Sequence, residues 1–165
     1  MPRTITVSLP VTDLKASVAF YTALGFVINP QCSGETGALM VLSETISVML
    51  LTHDQWRSLT TRPIAPATTS EVALNISCET REEVDAMNAA AAAHGGVADI
   101  NPIEDFEFMY GRDFIDPDGH VWGPQWMDLS RMPPGSPRGR LLAQGTGAAP
   151  DARSIGLGGS KDDGR

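Results

Sequence analysis

Phe114-Ile-Asp-Pro-Asp-Gly-His-Val-Trp-Gly-Pro-Gln-Trp-Met-Asp128 is the stretch whose reading decides the fold. Two apolar, β-prone runs flank Asp116-Pro-Asp-Gly119. Pro117 sets φ for the first corner of a turn and Gly119 permits positive φ at its end, so the segment reads as a β-hairpin. Its second strand is expected to form one wall of any site.

Working upstream, Glu107 to Ile115 reads as the partner strand and Val97 to Ile100 as another. Strand alternation puts Tyr110 and Arg112 on one face with Phe108 and Phe114. Before them, Thr80 and Glu83 form a capping box. The helix it opens carries Val84, Met87 and Ala91 and ends at Gly95-Gly96. Val72, Leu74, Ile76 and Cys78 alternate with Ala73, Asn75 and Ser77, which predicts a strand. The order is β-α-β-β-β.

The N-terminal half repeats that order. Ile5, Val7 and Leu9 alternate with Thr6 and Ser8; Asp13 caps a helix carrying Leu14, Val18, Tyr21 and Leu24; Gly25 ends it. Three β-prone runs follow, at Phe26–Pro30, Gly37–Leu42 and Ile46–Thr52. This repeat of architecture defines modules of about 1–60 and 71–130 within one domain, residues 1–130. Between the modules, residues 53–70 hold a helical turn at Asp54–Leu59 and then a Pro-containing run. A connection this long is usually functional or an inter-module linker.

Residues 131–165 differ. They hold eight Gly and four Pro and no aromatic residue, which predicts a disordered tail. Six Lys/Arg against three Asp give this tail a net of +3, so residues 1–130 carry −11 of a chain whose total is −8. A body that acidic lacks the electrostatic footprint of a nucleic-acid binder and is repelled by anionic membranes. Met1 to Leu9 lacks a basic region followed by a long apolar run, and no stretch reaches membrane-spanning length; a cytoplasmic protein is the expectation. Cys32 and Cys78 read as reduced structural thiols.

Three stretches, Leu9 to Phe26, Arg81 to Asp85 and Met109 to Trp122, together resemble the vicinal oxygen chelate superfamily. That superfamily contains glyoxalase I, bleomycin-resistance proteins, fosfomycin-resistance enzymes and extradiol dioxygenases. The Met109-Tyr-Gly-Arg112 segment is similar to a bacterial branch labelled predicted lactoylglutathione lyases. The resemblance implies an α+β fold in which paired βαβββ modules form a half-open β-barrel around a cavity, with helices outside. It also raises homodimerisation as an expectation.

In metal-using members of the superfamily, ligands come from inward positions on the first and fourth strands of each module. The resemblance places these positions at Thr6, Met49, Ala73 and Gly123. Thr is a poor ligand without support, a thioether suits soft metals, Ala and Gly offer no donor, and Gly123 replaces the Glu that commonly follows Gly-His-x-Trp. No inherited metal ligand, and hence no cofactor, is expected. Substitute ligands would have to come from Gln125, Asn75, Asp113 or Glu107.

The remaining candidates are Thr6, Ser8, Met49, Asn75, Ser77, Tyr110, Arg112, Trp122 and Gln125, a set suited to orienting a small, partly apolar molecule. Arg112 has two readings: a bidentate clamp for a ligand carboxylate or phosphate, or a structural pair with Asp113, Asp116 or Asp118. The nearby carboxylates favour the second. His120 reads as a turn-supporting side chain bonded to backbone, and His53 and His94 sit at element ends without need of a function. The function expected is sequestration or recognition of a small molecule. The alternatives are a lyase, isomerase or dioxygenase using displaced metal ligands, and an inactive dimerising module.

Overall fold

A computed structural model describes residues 3–132. The disorder expected for residues 131–165 falls, from residue 133 onward, outside the described residues. The described residues up to Asp128 form one compact unit, and after it Leu129–Arg131 makes a short 3-10 turn.

The first module runs β1 (Ile5–Val11), α1 (Leu14–Ala23), β2 (Val27–Asn29), β3 (Gly37–Val41) and β4 (Ile46–Thr52). Asp13 caps α1 by accepting from the Ala16 N–H at 3.0 Å. The four strands form one sheet in the order β1-β4-β3-β2, with β1 parallel to β4 and the others antiparallel. A 3-10 turn at Pro30–Cys32 follows β2. Next comes α2 (His53–Leu59), one residue longer than the turn expected from sequence.

The second module runs β5 (Ala73–Cys78), α3 (Arg81–Ala93), β6 (Val97–Ala98), β7 (Glu104–Phe106), β8 (Met109–Gly111), β9 (Phe114–Ile115) and β10 (Val121–Met127). The capping box of α3 is built as expected on one side: Thr80 Oγ1 accepts from the Glu83 N–H at 3.2 Å. The Glu83 carboxylate reaches one residue further back, to the Glu79 N–H at 2.7 Å.

The single strand expected over Glu107–Ile115 is instead two, β8 and β9, preceded by a hairpin to β7 whose turn holds Glu107 and Phe108. β8 and β9 pair in one continuous register with β10, from Met109↔Met127 to Ile115↔Val121, while β5 pairs with the other edge of β10 in parallel. β10, the second strand of the opening hairpin, is therefore the centre of the six-stranded sheet.

The two modules share one core. Phe20 and Tyr21 of α1 meet Phe26, Phe114 and Trp122, all at most 3% exposed. Tyr21 packs edge-on against Trp122 and Phe26 with centroids 5.8 and 5.3 Å away. Each such pair is worth about 0.5–1.5 kcal/mol beyond its buried area. The helices cover one side of each sheet and leave the other side open, giving the α+β half-barrel of paired βαβββ modules.

The Asp116–Gly119 turn closes this core. The Gly119 N–H donates to the Asp116 carbonyl at 3.0 Å, with Gly119 at φ 90°. Asp116 is 2% exposed. Its Oδ1 accepts from the N–H groups of Asp118 and His120, and its Oδ2 from the Tyr21 hydroxyl at 2.8 Å. The Trp122 indole N–H donates in turn to the Tyr21 oxygen at 3.1 Å. Burial raises the Asp116 carboxyl above the ordinary carboxylate range, against the lowering effect of His120 and the Tyr21 hydroxyl.

Candidate functional site

Register assigns every candidate side chain to a face. In the first sheet Val7, Leu9, Val48 and Leu50 point to the helices. Thr6, Ser8, Ser47 and Met49 therefore point the opposite way. Thr6 and Ser47 confirm it, with their hydroxyl oxygens 2.7 Å apart. Thr6 and Ser8 are exposed and Met49 is half-buried.

The second sheet divides the same way. Trp122, Pro124 and Trp126 alternate with Gly123 and Gln125, and the partners of the latter two on β5 are Asn75 and Ser77. Asn75 and Ser77 are exposed on this open face, with Gln125 half-buried beside them. Ser77 also lines a recess of about 550 Å³ between the end of α1 and the start of α3.

Three candidates lie on the other side. Trp122 is 3% exposed and belongs to the core. The Tyr110 hydroxyl donates to Asp85 of α3 at 2.8 Å. Arg112 donates to Asp85 at 2.7 Å and to both carboxylate oxygens of Asp99 at 2.9 and 2.7 Å. The open faces bring together Thr6, Ser8 and Met49, and separately Asn75, Ser77 and Gln125. Tyr110, Arg112 and Trp122 are not part of either group.

Arg112 thus takes a structural pairing, but with different partners from those expected. Asp113 points to the opposite face, Asp116 is occupied by the turn, and Asp118 accepts from the Thr12 N–H at 2.8 Å. Arg112 holds the carboxyls of Asp85 and Asp99 below the ordinary range through its hydrogen bonds, with Tyr110 adding to the effect at Asp85. Its bidentate geometry toward Asp99 leaves no open fork for a ligand anion. His120 bonds backbone as expected: its Nε2 lies 2.9 Å from the Pro10 carbonyl, tying β10 to β1. The His94 Nδ1 lies 2.9 Å from the Ala90 carbonyl at the end of α3.

The metal positions implied by the resemblance can be tested against this geometry. Thr6, Met49, Ala73 and Gly123 all fall on the open faces, where a metal would have to be held. Gly123 is itself crowded. A Cβ there would lie 2.7 Å from Asp113 Oδ1 and closer still to Asn75 Oδ1, so a carboxylate-bearing residue would have to displace both. Among the described residues no group of three or more His, Cys, Asp or Glu is placed to hold a metal ion. The residues present do not fit the superfamily's metal centre, for which about three protein ligands are normally needed.

None of the described helices is long and apolar enough to cross a membrane.

Sequence and structure comparisons agree with this fold. A family model described as bleomycin resistance protein-like N-terminal matches residues 3–41. No curated protein matches the chain. Among solved structures, a hypothetical protein from S. aureus is similar at 26% identity and TM-score 0.64, covering 76% of this chain and 95% of that one. A glyoxalase/bleomycin resistance protein/dioxygenase family enzyme from Burkholderia phytofirmans is similar at 17% identity and TM-score 0.63, covering 77% and 100%. A glyoxalase/bleomycin resistance protein/dioxygenase from Nocardioides is similar at 22% identity and TM-score 0.61, covering 82% and 89%. By its paired βαβββ modules the chain has the fold of these glyoxalase/bleomycin resistance protein/dioxygenase structures, and over residues 3–41 it is similar to the bleomycin resistance protein-like N-terminal family.

Proposed function

We propose that the protein binds a small, partly apolar molecule on the open faces of its half-barrel and does so without the superfamily's metal. One observation carries this reading: Thr6, Met49, Ala73 and Gly123 stand where the resemblance implies metal ligands, and none is a strong ligand for a hard or borderline ion. What those faces offer instead is hydroxyl and amide groups, Thr6, Ser8, Asn75, Ser77 and Gln125, beside the thioether of Met49. Uncharged donors and acceptors next to apolar surface orient a ligand without attacking it. Sequestration or recognition, as in bleomycin-resistance proteins, is the mechanism this chemistry supports.

A thermal-shift screen with small aromatic compounds and thiol conjugates tests the reading. A hit should lose about tenfold in affinity in Asn75→Ala, the effect of one hydrogen bond in a desolvated site. A hit whose affinity is unchanged in Asn75→Ala, Thr6→Val and Gln125→Leu would place the ligand elsewhere and overturn it.

A second reading, a metal-dependent lyase, isomerase or dioxygenase with displaced ligands, draws on one feature. Asn75 Oδ1 and Asp113 Oδ1 both flank Gly123. Two oxygens fall short of a metal centre, and Asp113 Oδ2 already accepts from Asn101 at 2.7 Å.

A further inference from the structure

The register of the second sheet lays its open face out in rows. Ala73, Val121, Ile115 and Val97 stand side by side on β5, β10, β9 and β6 and make an apolar row. Two residues further along β10, about 7 Å away, the next row is Asn75, Gly123 and Asp113. Ser77, Gln125, Gly111 and Glu104 make the third.

The middle row has a notch where Gly123 lacks a side chain. Asp113 Oδ1 lies 2.7 Å from the point a Cβ would occupy there and Asn75 Oδ1 closer still, so the two oxygens converge from neighbouring strands, less than twice that distance apart. Both are acceptors. Asp113 is fixed in place: its Oδ2 accepts from the Asn101 side-chain amide at 2.7 Å and its main-chain carbonyl from the Ile100 N–H at 3.2 Å. Among the described residues Asn101 is the one donor to this carboxylate, and the Asn75 side chain has none. Two acceptors facing one another repel, and a donor bonded to both removes that cost. N···O distances of about 2.7–3.2 Å on either side span the gap between them.

The sign of the charge is set as well. No Lys, Arg or His stands on any strand of this sheet, and Arg112, between β8 and β9, is turned to Asp85 and Asp99. The charged residues that register places on the open face are Asp113 and Glu104. A ligand anion would meet only like charge there, whereas a cation is attracted.

From this we infer that the molecule bound on the open face carries a primary ammonium group, whose N–H donors bridge Asn75 Oδ1 and Asp113 Oδ1 over Gly123 while its apolar body lies along Ala73, Val121, Ile115 and Val97. This ligand class rests on the binding reading proposed above and adds a charge to it.

Calorimetric titration of the full chain with phenethylamine, 2-phenylethanol and phenylacetate tests it, three probes of one shape carrying a cation, a neutral hydroxyl and an anion. Proton–nitrogen correlation spectra of the ¹⁵N-labelled chain locate each probe through the Gly123 main-chain and Asn75 side-chain resonances. Phenethylamine should bind about tenfold more tightly than phenylethanol, with phenylacetate weakest, and the preference should shrink as salt is raised. Asp113→Asn, of the same shape, should erase the preference and leave phenylethanol affinity unchanged. Asn75→Asp, which adds a second carboxylate at the notch, should increase it. The wild-type comparison needs no variant to fold. If phenylethanol or phenylacetate binds as tightly as phenethylamine, or if Asp113→Asn keeps the preference, the ammonium class is overturned. Gly123 and Asn75 resonances that still move in that case leave the open-face reading standing, and resonances that stay still for all three probes overturn both.

Discussion

The two faces of β10 carry opposite kinds of information. On the helix side, Trp122 joins Tyr21 and Asp116 in a buried network where each donor has its acceptor. On the open side, Gly123 sits between Asn75 and Asp113 with no side chain of its own. The first face fixes the architecture shared with the superfamily. On the second, Gly123 stands where the resemblance places a metal-binding carboxylate. Neighbouring residues on one strand can therefore carry a shared fold and depart from the ligand pattern the resemblance implies, because alternation sends them to different environments.

Removing the hub of the helix face should have the largest effect. Asp116→Ala strands the N–H groups of Asp118 and His120 and the Tyr21 hydroxyl, for a loss on the order of 3–5 kcal/mol in urea unfolding. Tyr21→Phe, which unpairs Asp116 Oδ2 and the Trp122 N–H, should cost about 2 kcal/mol. If either loss is under about 0.5 kcal/mol, the network does not organise the core.

The open face should respond differently. Gly123→Glu must push aside Asn75 and Asp113, at a cost of about 1–3 kcal/mol, without creating a metal site by itself. Calorimetric titration with zinc, nickel and manganese checks the second half of that statement.

Arg112→Met should have a smaller effect, about 1 kcal/mol at neutral pH, because Asp85 and Asp99 are substantially exposed and water screens the pairs. Its pH dependence is the sharper readout. Both carboxyls are depressed in the folded state, so their contribution is present above about pH 4 and fades as pH falls through the folded values. The gap between wild type and variant should narrow in acid, as read by Tm from pH 7 to pH 3, with ligand affinity unchanged. A gap that widens in acid would contradict the pairing. Smallest of all, Asn75→Ala should change stability by less than about 0.5 kcal/mol while weakening ligand binding.

Much of this was legible in the sequence because it depends on local rules. The Asp116-Pro-Asp-Gly119 turn, the caps at Asp13 and Thr80, and the alternation in β1, β4, β5 and β10 are short-range signals. The strand over Glu107–Ile115 was missed in detail. β7 is a charged edge strand, Glu104–Phe106, whose acidic residues resemble a solvated loop. The partners of Arg112 were missed for another reason. Asp85 lies on a helix 27 residues away and Asp99 on a loop at φ 53°, so only tertiary packing brings them to the guanidinium. Alternation alone would have excluded Asp113. Trp122 was expected to face a ligand, yet its ring is needed to pack Tyr21 and Phe26.

We propose that this chain keeps the half-barrel architecture without the metal centre that the resemblance implies. Elemental analysis of the full chain purified without chelator tests it most directly. No transition metal above trace, sub-stoichiometric occupancy is expected. One tightly held transition metal per chain, released by substituting Asp113 or Asn75, would contradict it.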